Sequence, residues 1–228
     1  MIVSIHQPQY FPWLPYFLKV EESEVFILLD SVAFQKNGLQ NRNQIKTAQG
    51  AQWLTVPVLQ SRGQKICEVQ INDKVDWKKK HWLTIQQSYR KAKAFNYYAK
   101  DIEDVFSQDW SSLNDLNIHL FTLMMGWLGI ESQIKRSSEM KSGGKGSELV
   151  LNLCLEAGAK RYLSGTGGHA YLEEAAFLEA GVEIVYCEPE LPMSYPQLHP
   201  QAGFLNSLSA LDIVLNCGHE WRKYFSGN

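Results

Sequence analysis

The sequence predicts an α/β fold: a three-layer, Rossmann-like, mostly parallel sheet with a small β-rich excursion and a helical insertion. Three observations predict it. Short apolar runs of strand length alternate with helical patterns near both ends of the chain. The middle breaks that alternation, first with strand-like runs and then with three helical patterns in succession. The length, 228 residues, suits one large domain carrying an insertion. Residues 1–228 therefore read as a single α/β domain, with 31–75 as the β-rich excursion and 77–128 as the helical insertion.

The elements follow in order. Ile2–Ile5 is a continuous apolar run and reads as a strand buried on both faces. Trp13–Glu21 reads as a short helix with Pro12 or Pro15 in its first turn, where a missing N–H costs nothing. Val25–Leu29 is a second strand, ending in Asp30. Gln35 to Gly50 is a polar segment. Trp53–Val58 is strand-like, and Cys67–Ile71 alternates like an antiparallel strand. Helices are expected over Trp77–Ala92, Asn96–Gln108 and Ser112–Leu128. The last has Ser111 or Ser112 as its N-cap and stops at Gly129. Its Leu113, Leu116, Leu120, Leu123, Met124 and Trp127 share one face. Glu131–Arg136 is a strand, Ser147–Ala157 a helix closed by Gly158, and Arg161–Ser164 a strand. Ala170–Glu179 is a helix, Val182–Tyr186 the last clear strand, and Leu208–Leu215 a terminal helix.

Composition narrows the function. Hydrophobic residues are 45% and charged residues 20%, a globular balance that excludes wholesale disorder. The net charge is −2 with no long basic run, so nucleic acid is not the expected partner. Cys67, Cys154, Cys187 and Cys217 form no C-x-x-C pair and no zinc-type cluster. The first three read as buried thiols. No metal or other cofactor is called for. No basic leader and no run of about 18 apolar residues is present, so a cytoplasmic protein without membrane insertion is expected.

Ligands of open α/β sheets sit beyond the carboxyl ends of the strands. The first strand delivers His6 and Gln7 there, followed by Tyr10, Phe11, Trp13, Tyr16 and Phe17. That density of rings suits a pocket wall. His6 is the candidate general acid or base, or else a hydrogen-bonded core histidine. Asp30 could hold a ribose hydroxyl, orient His6 or ligate a metal; it could equally cap the next turn. Ser164-Gly165-Thr166-Gly167-Gly168 lies between a strand and a helix. Its N–H groups and the helix amino end would hold a phosphate or carboxylate, or the glycines serve only a tight connector needing positive φ. Asn41 and Arg42 are donors suited to carboxylate or phosphate. Lys78 and Lys79 read as solvated, whereas Lys80 and His81 are expected to point inward between Trp77 and Trp82. Tyr195 and Gln197 would line the pocket mouth, with Asp212 and Asn216 in packing or capping roles.

These residues resemble the WbqC-like family. The specific part is His6-Gln-Pro-Gln-Tyr-Phe-Pro-Trp13, with Tyr16 and Lys19. Support continues through Asp30, Asn41-Arg-Asn43, Trp53-Leu-Thr-Val-Pro57, Lys80-His81, Tyr89, Ser164-Gly165, Tyr195 and Gln197 to Asn216-Cys-Gly218. One departure is Pro15, where the family usually has glycine. The resemblance implies a bacterial enzyme of surface-polysaccharide (O-antigen type) biosynthesis. It would transfer an acyl or aminoacyl group to a nucleotide-linked amino sugar. His6 would take the amine proton, Gln7, Asn41 or the glycine loop would hold the oxyanion, and Asp30 and Arg42 the sugar nucleotide. The implied partners are a sugar or nucleotide-sugar and an acyl carrier protein. Two other classes compete: a nucleotidyl-transferring or adenylate-forming enzyme, and a non-enzymatic protein that grips a saccharide or carrier.

Overall fold

Apolar residues dominate two inner strands of the main sheet, Ile2–His6 and Val25–Leu28, whose residues are mostly buried. The computed structural model describes residues 1–188 and 190–225. Its elements begin with β1 (Ile2–His6), α1 (Leu14–Glu21), β2 (Val25–Leu28), β3 (Arg42–Thr47), β4 (Gly50–Thr55), β5 (Val58–Leu59) and β6 (Gln70–Ile71). Then come α2 (Trp77–Tyr89), α3 (Phe95–Ser107), α4 (Leu113–Leu128), β7 (Gln133–Arg136) and α5 (Gly146–Ala157). The last are β8 (Arg161–Gly165), α6 (Glu174–Glu179), β9 (Glu183–Cys187) and α7 (Leu211–Cys217). Two compact units share them.

The first unit comprises Met1–Pro8, Pro15–Val32 and Ile130–Glu190. Its five strands are all parallel, in the order β7-β2-β1-β8-β9. Counted along the unit's own chain this is 3-2-1-4-5, the doubly wound order. In register, Val3 lies beside Val25 on one side of β1, and Ser4 beside Leu163 on the other. Alternation along each strand then sorts the two faces. Val3, Ile5, Val25 and Ile27 pack with Leu149, Leu153 and Cys154 of α5 and Phe177 of α6. Phe26 has the opposite parity and meets Tyr16 of α1, ring centroids 5.3 Å apart. Helices on both faces give the three layers expected. Ser4 within β1 is wholly buried, so its hydroxyl needs a partner; it donates to the Leu163 carbonyl at 2.8 Å.

The second unit comprises Gln9–Leu14, Ala33–Gly129 and Leu191–Asn228. The β-rich excursion and the helical insertion thus belong to one body, together with the C-terminal segment. β3 and β4 form an antiparallel hairpin with Arg42 opposite Thr55, and β5 pairs with β6. α4 starts as its sequence demands: the Ser112 side chain accepts the Asp115 N–H at 3.2 Å, and Gly129 closes the helix at φ 66°. All seven tryptophans (13, 53, 77, 82, 110, 127 and 221) lie in this unit.

Several expectations are corrected. The polar segment contains a strand, β3, whose Asn43, Ile45, Lys46 and Thr47 are buried. Cys67 sits in a 3-10 turn (Ile66–Glu68), and only Gln70–Ile71 pairs as a strand. The helix expected over Ala170–Glu179 is instead a 3-10 turn (Thr166–Ala170) followed by the short α6. α7 begins three residues later than expected. Cys67 and Cys187 are half-buried, while Cys154 and Cys217 are each buried. No described helix is long and apolar enough to cross a membrane.

Candidate functional site

In the first unit the strand order reverses between β1 and β8, and this is where open α/β sheets hold ligands. A cavity of about 280 Å³ lies there. β1 contributes Ile5, His6 and Gln7, α1 contributes Lys19, and β8 with its following turn contributes Ser164, Gly165, Gly167 and Gly168. The convergence of the first strand end with the glycine loop is therefore present in one wall. Thr166 is exposed and does not line it.

His6 is half-buried and its ring stands edge-on to Tyr16, centroids 4.8 Å apart at 60°. Tyr16 is itself fixed by donating its hydroxyl to the Gln7 carbonyl at 3.2 Å. His6 Nδ1 lies 3.2 Å from the same carbonyl. A carbonyl only accepts, so Nδ1 carries the proton and Nε2 keeps the lone pair. Burial, then the Lys19 ammonium, push the imidazole down to about 3, against a smaller upward pull from the Gln7 carbonyl. His6 is thus neutral at physiological pH.

Lys19 lines the cavity and was not among the site residues expected from the sequence. Only 6% of it is exposed, and its Nζ donates to the Ile5 carbonyl at 2.9 Å. Burial lowers its amine to about 8, partly countered by Cys187. At neutral pH it remains a cation. The signals in the sequence were its place in the family resemblance and its three-residue spacing from Tyr16 on an apolar helix face.

The glycine loop separates into two kinds of position. None of Gly165, Gly167 and Gly168 has positive φ, so the connector explanation does not apply. A Cβ on Gly168 would meet Ser164 Oγ at 2.2 Å and Leu172 Cδ1 at 2.8 Å, so those side chains would have to shift to admit one. Gly165 and Gly167 have nothing within 4 Å of an added Cβ. The helix amino end invoked for anion binding is absent, because a five-residue 3-10 turn stands in its place.

Other expected site residues have visible local roles. Asp30 is fully buried and lies outside the cavity lining. Its Oδ1 accepts from the Ser138 N–H at 2.8 Å and Ser137 Oγ at 3.1 Å; Oδ2 accepts from Ser138 Oγ at 2.8 Å and Arg136 Nε at 3.2 Å. These bonds tie the end of β2 to the turn after β7, not to the turn that follows β2. Tyr10 and His81, both buried in the second unit, share a 2.8 Å hydrogen bond. Burial, then Lys80, lower His81 to about 4, against the Thr55 carbonyl. Lys80 itself is exposed, which corrects the inward reading: it falls on the wet face of α2, beside the buried one that carries Trp77 and His81.

Trp13 is half-buried and bridges to Ser209. Asn41 Nδ2 donates to the Val56 carbonyl at 2.9 Å, and the Arg42 guanidinium lies 4.3 Å over the Trp53 ring. Tyr195 and Gln197 donate to Asp212 at 2.8 and 2.9 Å, and Tyr89 donates to it at 2.6 Å. That network is centred on a fully buried carboxylate. It knits the second unit together, and Tyr195 lines a narrow crevice. Among the described residues, no three His, Cys, Asp or Glu side chains gather as a metal centre would need.

Comparison with known proteins decides the family. The profile of the WbqC-like protein family matches residues 7–224. The chain belongs to the WbqC-like protein family. This WbqC-like chain is 34% identical over 226 residues to the uncharacterized protein Rv1507c of Mycobacterium tuberculosis (strain ATCC 25618 / H37Rv), covering 97% of the chain and 96% of that relative. No solved structure matches it significantly. The match includes Gln7, Lys19 and the whole glycine loop, so the first-unit cavity falls almost entirely within the family's shared length.

Proposed function

We propose that this WbqC-like protein is an enzyme of surface-polysaccharide precursor synthesis, transferring an acyl or aminoacyl group to the amine of a nucleotide-linked amino sugar. The family supplies the biosynthetic setting. The observation that carries the reading is a neutral histidine whose Nδ1 faces the Gln7 carbonyl, leaving the Nε2 lone pair for a proton, in a cavity at the switch point of a doubly wound sheet. The acceptor amine attacks the acyl carbonyl and the new C–N bond forms. His6 Nε2 takes the proton that the amine loses. The bond from the carbonyl carbon to the donor's leaving group breaks, and the leaving group departs with the electron pair. Gln7 lines the same wall, and in this reading its amide would donate to the oxyanion.

The test is calorimetric binding of nucleotide-linked amino sugars to wild type and to His6→Gln, followed by turnover with thioester-linked acyl and aminoacyl donors. Transfer chemistry predicts binding retained within a few-fold and turnover lost by about 10²–10⁴ in the variant. Pyrophosphate release from ATP would replace this reading with an adenylating one. Stabilisation by a carrier protein alone would replace it with a binding function.

A further inference from the structure

We infer that the wall formed by Lys19, Gly165 and Gly167 is a seat for a phosphate group, so that the ligand of this cavity carries a phosphoryl or diphosphoryl anion. The seat belongs to the same cavity as the transfer reading and rests on it for the identity of the wider ligand.

Three observations converge. The first is an uncompensated cation. Lys19 is 94% buried, yet among the described residues its ammonium makes one hydrogen bond, to a neutral carbonyl, Ile5 O at 2.9 Å. Among the described residues no carboxylate lies within salt-bridge distance of it. An ammonium has three donors, and a buried one is costly without an anion. The groups around it do not supply one. His6 is neutral, and burial raises the Cys187 thiol to about 11, leaving it protonated. The exposed Glu22 carboxylate is engaged by that thiol at 3.4 Å.

The second observation is the pair of open glycines. Positive φ does not explain Gly165 or Gly167, and neither does crowding by the protein itself. Both line the cavity that Lys19 lines. Glycine at such positions lets a ligand approach the backbone closely. Gly168 provides the internal contrast, because its missing side chain is accounted for by Ser164 and Leu172. The third observation is a consequence for catalysis. Lys19 is the second cause of the low basicity of His6. An anion seated against Lys19 would offset that second cause and leave the larger one, burial, in place.

The probe is pyrophosphate, titrated by calorimetry at pH 7 into wild type, Lys19→Met, Gly167→Ala and Gly168→Ala. Saturable binding is expected in wild type, weakened at least tenfold by Lys19→Met and by Gly167→Ala. Binding in wild type should also weaken between pH 7 and 9.5 as the amine loses its proton. No saturable binding in wild type, or Lys19→Met binding as wild type does, overturns the seat. If Lys19→Met fails to fold, Gly167→Ala decides in its place. Tighter binding of a nucleotide-linked sugar than of pyrophosphate, with the same loss in Lys19→Met, assigns the anion to the substrate's own diphosphate. Equal affinity for inorganic phosphate assigns it to the free ion.

The two readings fail separately. Lys19-dependent pyrophosphate binding without acyl transfer keeps the seat and removes the transferase. His6-dependent transfer to an amino sugar lacking phosphate, with no pyrophosphate binding, does the reverse.

Discussion

Replacing Asp30 by alanine tests whether its carboxylate is structural or available to a ligand. Four donors converge on it within 2.8–3.2 Å, and none of it is exposed. They would not suffer equally. Arg136 is partly exposed and keeps Glu139 at 3.1 Å, so its loss is small. The hydroxyls of Ser137 and Ser138 can rotate, and Ser31 Oγ already stands 2.9 Å from Ser137 Oγ. The Ser138 N–H cannot move. A hydrogen bond to a charged group contributes about 1.5–3 kcal/mol, and each reoriented hydroxyl about 1 kcal/mol. Asp30→Ala should therefore cost about 3–5 kcal/mol, within the range for breaking a buried pair. Asp30→Asn keeps one acceptor and should cost about 2–3 kcal/mol. Urea unfolding followed by far-UV circular dichroism measures both. A loss below about 1 kcal/mol for Asp30→Ala would refute the reasoning and return the carboxylate to the list of ligand contacts.

Other outcomes follow from the same geometry. Gly168→Ala should destabilise by about 1–3 kcal/mol through overpacking against Ser164, whereas Gly167→Ala should leave the melting temperature within about 2 °C of wild type. His6 titrates near 6.5 when unfolded and at about 3 when folded, so the unfolded chain takes up its proton first. The stability it contributes is full above pH 6.5 and drains away as pH falls toward 3, with a slope of up to about 1.4 kcal/mol per pH unit. His6→Gln should flatten that slope in acid melts. Tyr89→Phe removes the acceptor of the Lys46 N–H at 2.9 Å and a donor to Asp212 at 2.6 Å. It should cost about 2–3 kcal/mol, read by hydrogen exchange at the Lys46 amide.

Much of the fold was legible because local chemistry and tertiary position agree. The apolar run of β1, the Ser112 cap and the closing Gly129 and Gly158 each act on their own neighbours. β3 was not legible. Its Lys46 is buried because Nζ reaches Gln197 Oε1 at 3.0 Å and the Gly203 carbonyl at 2.6 Å, partners more than 150 residues away. Hydrophobic periodicity cannot register a strand whose buried members are polar and satisfied from afar. The same holds within the site. His6 and the glycine loop could be found by asking what ends a strand. Lys19 in the last turn of a helix looks like an ordinary cation complementing the dipole, and only its burial distinguishes it.

The placement of every indole in the second unit decides what an optical melt can see. Intrinsic emission excited at the red edge of the aromatic band comes from that body alone. A compound that occupies the cavity beside His6 could stabilise its own unit and leave the fluorescence trace unmoved. Ligand screens on this protein should therefore monitor heat capacity or amide exchange, and a tryptophan introduced at Tyr171 would give the silent half a voice.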